Sequence, residues 1–221
     1  MIFDKYRAVC IQVPRTGSTF ISNLLHDVSP AYGSKGYFSR MANYKLGPLS
    51  KFYGHLHIPY RDYEKDIKPY VDNYIVFSFV RHPYDRWVSI FFHPGPHVGI
   101  EWERSEGSDI GEIISNFRKF CQASTRHEDW IDKSGWKTQT DYLKNSTGEI
   151  NLDFIGKLEN IEADWKILTQ KFSFPPYDIS YKHTLMNSRP KIPLEDLYDQ
   201  ETKDIIFSYF KEDFVNFNYE R

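Results

Sequence analysis

The hydrophobic positions of the chain fall into continuous runs and helical repeats. Ala8 to Val13 is an apolar run in which Val9, Ile11 and Val13 favour extended backbone, and it predicts a buried strand. The polar turn Pro14-Arg15-Thr16-Gly17-Ser18-Thr19 follows, and then Phe20, Ile21, Leu24, Leu25 and Val28 recur at helical spacing. Residues 74–80, YIVFSFV, are apolar on both faces except at Ser78, the pattern of an interior parallel strand. Arg81-His82-Pro83 ends that strand and opens a helix to about Phe92, with Pro83 suited to its first turn.

The remaining pattern is predominantly helical. A helix is predicted over Tyr60–Val71, a second over 110–121 capped by Asp109, and a third near 136–144. Leu152–Leu158 reads as a strand, Asn160 as the cap of an amphipathic helix to about Phe172, and Leu194–Phe210 as a final helix. The stretches 29–53, 93–108, 125–150 and 178–193 are loop-like, the first with a short helix near 38–41, and Pro175-Pro176 breaks the pattern. Strands separated by helices predict an α/β fold with a mostly parallel central sheet flanked by helices. With 221 residues, no internal repeat and no low-complexity segment, a single domain over residues 1–221 is expected.

Charge and cysteine content narrow the function classes. A formal net charge of −2 gives no general electrostatic case for nucleic acid or an anionic membrane as partner, so any anion site must come from local placement of Arg and Lys. Cys10 and Cys121 are far apart and Cys10 lies in the first predicted strand, which favours free thiols over a disulfide. No stretch approaches about 18 consecutive apolar residues, and MIFDKYRAVC lacks the apolar region of a signal peptide. The expectation is a soluble, cytoplasmic protein without a membrane anchor.

The first turn has the makings of a phosphate site. A helix start offers N–H groups without intrahelical acceptors and the positive end of the dipole. Gly17 permits close backbone approach, Ser18 and Thr19 add hydroxyls, and Arg15 adds a fork-shaped cation. The same residues also suit an ordinary capped strand-to-helix connection. The turn is not a Walker A motif, which needs G-x-x-x-x-G-K-[ST]. The second stretch of interest is Phe79-Val80-Arg81-His82-Pro83-Tyr84-Asp85-Arg86-Trp87-Val88-Ser89. Arg81 stands at the carboxyl end of the best strand, where open α/β sheets bind ligands, and Ser89 lies about two turns into the next helix. Together they can grip a second phosphate. Asp85 and Arg86 also fit a surface ion pair, and Trp87 fits the core.

In this order and spacing the two stretches resemble the paired cofactor motifs of the sulfotransferases that use 3'-phosphoadenosine 5'-phosphosulfate (PAPS), most closely the branch of carbohydrate sulfotransferases and their bacterial relatives. PRTGST resembles the family's 5'-phosphosulfate loop, usually P-K-[TS]-G-[ST]-T, and FVRHPYDRWVS resembles its 3'-phosphate motif. Asp153-Phe154-Ile155-Gly156-Lys157-Leu158-Glu159-Asn160-Ile161 resembles a later strand and turn of the family. The resemblance implies a P-loop-like sulfotransferase fold. It also implies cofactor contacts from Arg15, Thr16, Gly17, Ser18, Thr19, Phe20, Arg81 and Ser89. Arg15 stands where the family usually has Lys, keeping the charge and adding bidentate geometry.

The activity so implied is transfer of a sulfuryl group from PAPS to a hydroxyl or amine of a carbohydrate or small-molecule acceptor, leaving adenosine 3',5'-bisphosphate. In-line transfer needs charge stabilisation on the leaving oxygen, a role for Arg15, and a base for the acceptor's proton. His55 and His57 in Gly54-His55-Leu56-His57 point the same way in extended chain, and an unperturbed histidine, with a pKa near 6.5, suits a base at neutral pH. The family's catalytic histidine lies in a Gly-His stretch, which favours His55, although other branches use Glu. No metal is required, and no HExxH motif or paired Cys ligand set appears. Tyr37, Tyr44, Trp102, Trp130 and Trp136 in the long loops suit stacking on an acceptor ring and equally suit plugging the loops onto the core. Two other readings are a P-loop kinase or NTPase, disfavoured by the missing GK[ST] and by Arg81 where an acidic Mg²⁺ ligand belongs, and a non-catalytic nucleotide-binding protein of the same fold.

Overall fold

The computed structural model describes residues 1–25, 57–93, 109–124, 137–176 and 190–221. Its contacts divide the chain into two compact units, Met1–Val80 with Gln139–Leu185, and Arg81–Thr138 with Met186–Arg221.

The first unit is built on a four-stranded sheet in the order β1 (Ile2–Phe3), β2 (Ala8–Cys10), β3 (Ile75–Val80), β4 (Phe154–Lys157). β2, β3 and β4 are mutually parallel, and β1 pairs antiparallel with β2. The mostly parallel sheet of an α/β fold is as the sequence pattern predicts. β1 is an addition, too short to show a period. Its hairpin closes through a 3₁₀ turn at Asp4–Tyr6 and the left-handed Arg7 (φ 46°), with Cys10 N–H donating to the Met1 carbonyl at 2.8 Å.

β2 is shorter than the predicted 8–13, but its pairing runs further. Ile11 N–H donates to the Phe77 carbonyl at 2.9 Å, and the Ser78 hydroxyl donates to the Ile11 carbonyl at 2.7 Å. Ser78, the one polar residue of the strand, is thus satisfied in a fully buried place and extends the grip of β3 on β2. Asp153 ties the other side: its carboxylate accepts from Val76 N–H at 2.6 Å, and its own N–H donates to the Val76 carbonyl at 2.8 Å.

Helix α1 (Ser18–Leu25) buries Phe20, Ile21, Leu24 and Leu25, and helix α6 (Ile161–Phe172) buries Ile161, Trp165 and Leu168, in one core with Ala8, Cys10, Phe77 and Phe79. Asn160 does occupy the N-cap of α6, although its side chain makes no capping bond. Phe79 stacks on Trp165 with ring centres 6.2 Å apart. Gly156 faces Phe79 across the parallel ladder, and a Cβ there would lie 2.4 Å from the Phe79 ring and 3.0 Å from that of Phe154. The glycine of the DFIGKL stretch therefore exists to admit an aromatic ring.

Also in the first unit, α2 (Tyr60–Asp66) stops short of the predicted Val71 because Pro69 cannot donate to an α ladder, and Lys68–Tyr70 form a 3₁₀ turn instead. α5 (Gln139–Leu143) falls inside the helix expected near 136–144.

The second unit is helical in its described residues. α3 (Pro83–Phe91) and α4 (Ile110–Ser124) match the expected helices, and Asp109 caps α4 by accepting from Glu112 N–H at 3.0 Å. Trp87, Phe91, Phe117, Phe120 and Phe210 form its centre, with Trp87 stacked on Phe120 at 5.1 Å. The expected helix over 194–210 is instead three: α7 (Leu194–Leu197), α8 (Gln200–Tyr209) and α9 (Lys211–Asn216). The break is made by Asp199, which turns extended and accepts from Thr202 N–H at 2.9 Å in a capping box. Cys10 and Cys121 are both free thiols and buried, as expected. The predicted loop 29–53, the loop 93–108 apart from His93, residues 125–136 of the stretch 125–150 and most of 178–193 lie outside the described residues, as does the short helix near 38–41.

Gly156→Ala is expected to destabilise the protein by about 1–3 kcal/mol in urea denaturation, because the Phe79–Trp165 stack must shift to admit the methyl group. The Thr202 hydroxyl and N–H hold the Asp199 carboxyl below the usual carboxylate range. A depressed pKa contributes stability above the unfolded value, lost as pH falls through the folded one. Loss of the cap in Asp199→Ala should cost about 1 kcal/mol at pH 7, and the sign of the shift makes the deficit shrink as the solution is acidified below about pH 4, read from denaturation midpoints.

Candidate active site

The turn after β2 is strained in a useful way. Arg15 (φ 69°) and Gly17 (φ 86°) both take the left-handed conformation, which is uncommon for a residue with a side chain. Between them Thr16, only 2% exposed, turns inward, and its hydroxyl donates to the Val13 carbonyl at 3.0 Å. Thr16 thus staples the turn shut. The Gly17 carbonyl accepts from Ile21 N–H at 3.1 Å and so begins α1, leaving Ser18 as its first helical residue. The N–H groups of this first turn point out of the helix start, where the dipole favours an anion. Because Phe20 and Ile21 are locked in the core, the helix start is held fixed to the sheet. Phe20 can serve a ligand through its backbone alone, since its side chain is fully buried. Arg15 and Ser18 are half-buried, and Thr19 lies in the same turn.

His57 is exposed, and its Nδ1 lies 3.0 Å from the Gln12 carbonyl, two residues before the turn. A carbonyl only accepts, so the neutral ring donates from Nδ1 and carries its basic lone pair on Nε2. Nothing in the sequence pattern announced Gln12 as this partner. His55 lies outside the described residues, as do Tyr37, Tyr44, Trp102, Trp130 and Trp136.

In the second unit Arg81 directly follows the last residue of β3 in sequence. Its guanidinium pairs with the Asp85 carboxylate at 3.5 Å, one helical turn on, and only 17% of its side chain is exposed. Asp85 thus pairs with Arg81, and Arg86, which also fitted a surface ion pair, is buried instead. Arg86 is 1% exposed, donates to the Lys137 carbonyl at 2.9 Å and lies over the Phe210 ring. The i, i+4 spacing of Arg81 and Asp85 was the available signal for the true pair. His82 caps α3, its Nδ1 accepting from Tyr84 N–H at 3.3 Å. Trp87 is core, as expected, and Ser89 is buried on α3.

Among the described residues, no group of three or more His, Cys, Asp or Glu side chains is placed to hold a metal ion, and no helix is long and apolar enough to cross a membrane. No curated protein and no solved structure matches the chain. A model of the sulfotransferase family, whose members generally take the sulfuryl group from PAPS, does match, and it spans residues 1–220, both units included. Because that match covers nearly the whole chain, the chain belongs to the sulfotransferase family and is a sulfotransferase of α/β fold.

Proposed function

We propose that this enzyme transfers a sulfuryl group from PAPS to a hydroxyl or amine of a carbohydrate or small-molecule acceptor, without a metal. The observation that carries the reading is the turn at residues 14–17, stapled by Thr16 and delivering its chain into the start of α1. Two left-handed residues and a helix N-terminus suit a 5'-phosphosulfate, and Arg15 supplies its charge. The Thr16 hydroxyl is spent on Val13, so its share in binding is through its N–H, with Ser18 and Thr19 offering hydroxyls. Arg81 and Ser89 take the 3'-phosphate, an assignment supported by their motif and by the tether of Arg81 to Asp85.

In the reaction the acceptor oxygen or nitrogen bonds to sulfur as the bond from sulfur to the 5'-phosphate oxygen breaks. Arg15 stabilises the negative charge gathering on that oxygen. The acceptor's proton passes to a histidine of the Gly54-His55-Leu56-His57 stretch, and adenosine 3',5'-bisphosphate leaves. Support for His57 is its hydrogen bond to Gln12, which orients the ring and leaves Nε2 as the base. Support for His55 is its place after Gly54 in the family-like stretch. The family match across both units supports a single catalytic domain over residues 1–221, and the buried free thiols support a reducing, cytoplasmic setting.

Calorimetric titration with adenosine 3',5'-bisphosphate should show micromolar or tighter binding, weakened by roughly 1.5–3 kcal/mol in Arg81→Ala. Binding of Mg²⁺-ATP in its place would overturn the donor assignment and promote a kinase. Sulfate transfer from labelled PAPS to a panel of sugars, phenols and amines then separates the roles. Arg15→Ala should lower turnover by about 10²–10³-fold with a smaller change in nucleotide affinity. Replacement of the base by Ala should lower turnover by about 10²–10⁴-fold and leave nucleotide affinity intact, and the two single variants, His55→Ala and His57→Ala, decide which histidine it is.

A further inference from the structure

We propose that His82 is a positioning residue for Arg81, and that Tyr219, held by the turn after α9, locks His82 in place. This rests on the reading of Arg81 as a ligand of the 3'-phosphate.

His82 is adjacent to Arg81 in the chain, and Pro83 behind it confines its backbone to the extended region (φ −49°, ψ 126°). Its ring folds over the helix start so that Nδ1 accepts from Tyr84 N–H. Capping alone does not require histidine, because Ser, Asp or Asn does it as well or better. What the imidazole adds is a ring, and that partly buried ring packs against three others. Tyr84 lies 5.5 Å from it, Phe214 5.6 Å and Tyr219 5.0 Å, the last two edge to face.

This packing is built by how α9 ends. Asn218 takes the left-handed conformation (φ 50°). Its N–H donates to the Val215 carbonyl, and Tyr219 N–H reaches back five residues to the Phe214 carbonyl at 2.9 Å. This is the paired hydrogen-bond pattern of a Schellman turn, whose left-handed position Asn tolerates better than most residues with a side chain. The turn swings Tyr219 back along the helix that carries Phe214, and both rings close on His82. Phe214 is itself buried in the helical core. The backbone at Arg81 is thereby fixed from behind, while Asp85 holds the guanidinium from the front. An arginine held at both ends meets a phosphate with little further ordering.

The test compares adenosine 3',5'-bisphosphate with adenosine 5'-monophosphate by calorimetry in the full chain. His82→Asn keeps a capping acceptor and removes the ring, and Tyr219→Ala removes the outer wall. Each should weaken the bisphosphate about tenfold and change the monophosphate less than about twofold, while Tyr219→Phe retains both affinities. In an Arg81→Ala background, His82→Asn should add no further loss. Equal weakening of both nucleotides, or no weakening of either, would overturn the positioning role. If Arg81→Ala leaves the preference for the bisphosphate intact, the assignment of Arg81 itself fails. If Arg81→Ala abolishes that preference while His82→Asn and Tyr219→Ala preserve it, the positioning proposal fails alone.

Discussion

The parallel pairing of β2 with β3 is the constraint on which the rest depends. It places the carboxyl ends of both strands at one edge of the sheet, and the turn carrying Arg15 and Gly17 leaves from that edge. The pairing persists beyond the short strand β2 through Ile11 and the buried Ser78 hydroxyl. A hydroxyl in the middle of an apolar strand costs desolvation unless it finds a partner, and here the partner is the segment that leads into the turn. One polar residue thus serves both satisfaction of the core and aim of the loop.

Aromatic packing supplies the stiffness around this frame. In the first unit Phe77, Phe79, Trp165 and Phe174 interlock, and Gly156 is the gap that lets Phe79 reach Trp165. In the second unit Trp87, Phe120 and Phe210 do the same beneath α3. Aromatic pairs bury large areas and fix mutual angles, so each adds orientation as well as burial. Fixed orientation of the helix starts is the product of that packing.

Several side chains have roles that only their neighbours explain. Thr16 reads as a phosphate donor by position, yet its hydroxyl closes the turn on Val13. Arg86 reads as a surface cation, yet it is buried against Phe210 and the Lys137 carbonyl. Arg and Thr are ambiguous by nature, since both have long or rotatable polar groups whose partner is set by whatever lies within reach. His57 shows the converse, since the Gln12 carbonyl, distant in sequence, selects which of its nitrogens is basic.

The sequence by itself determined the elements whose cause is local. The apolar run 74–80, the Pro83 helix start, the Asp109 cap and the alternation of strand and helix all carry their reasons within a few residues, and so does the PRTGST turn with its glycine. Their order and spacing were enough to point to the family. Tertiary structure decided what depends on distant partners. The edge strand β1 exists because β2 offers it a ladder, and the break at Asp199 exists because a capping box competes with helical continuation. The tether of Arg81 to Asp85 and the rings around His82 were chosen among several sterically open pairings by packing, which a period along the chain does not encode.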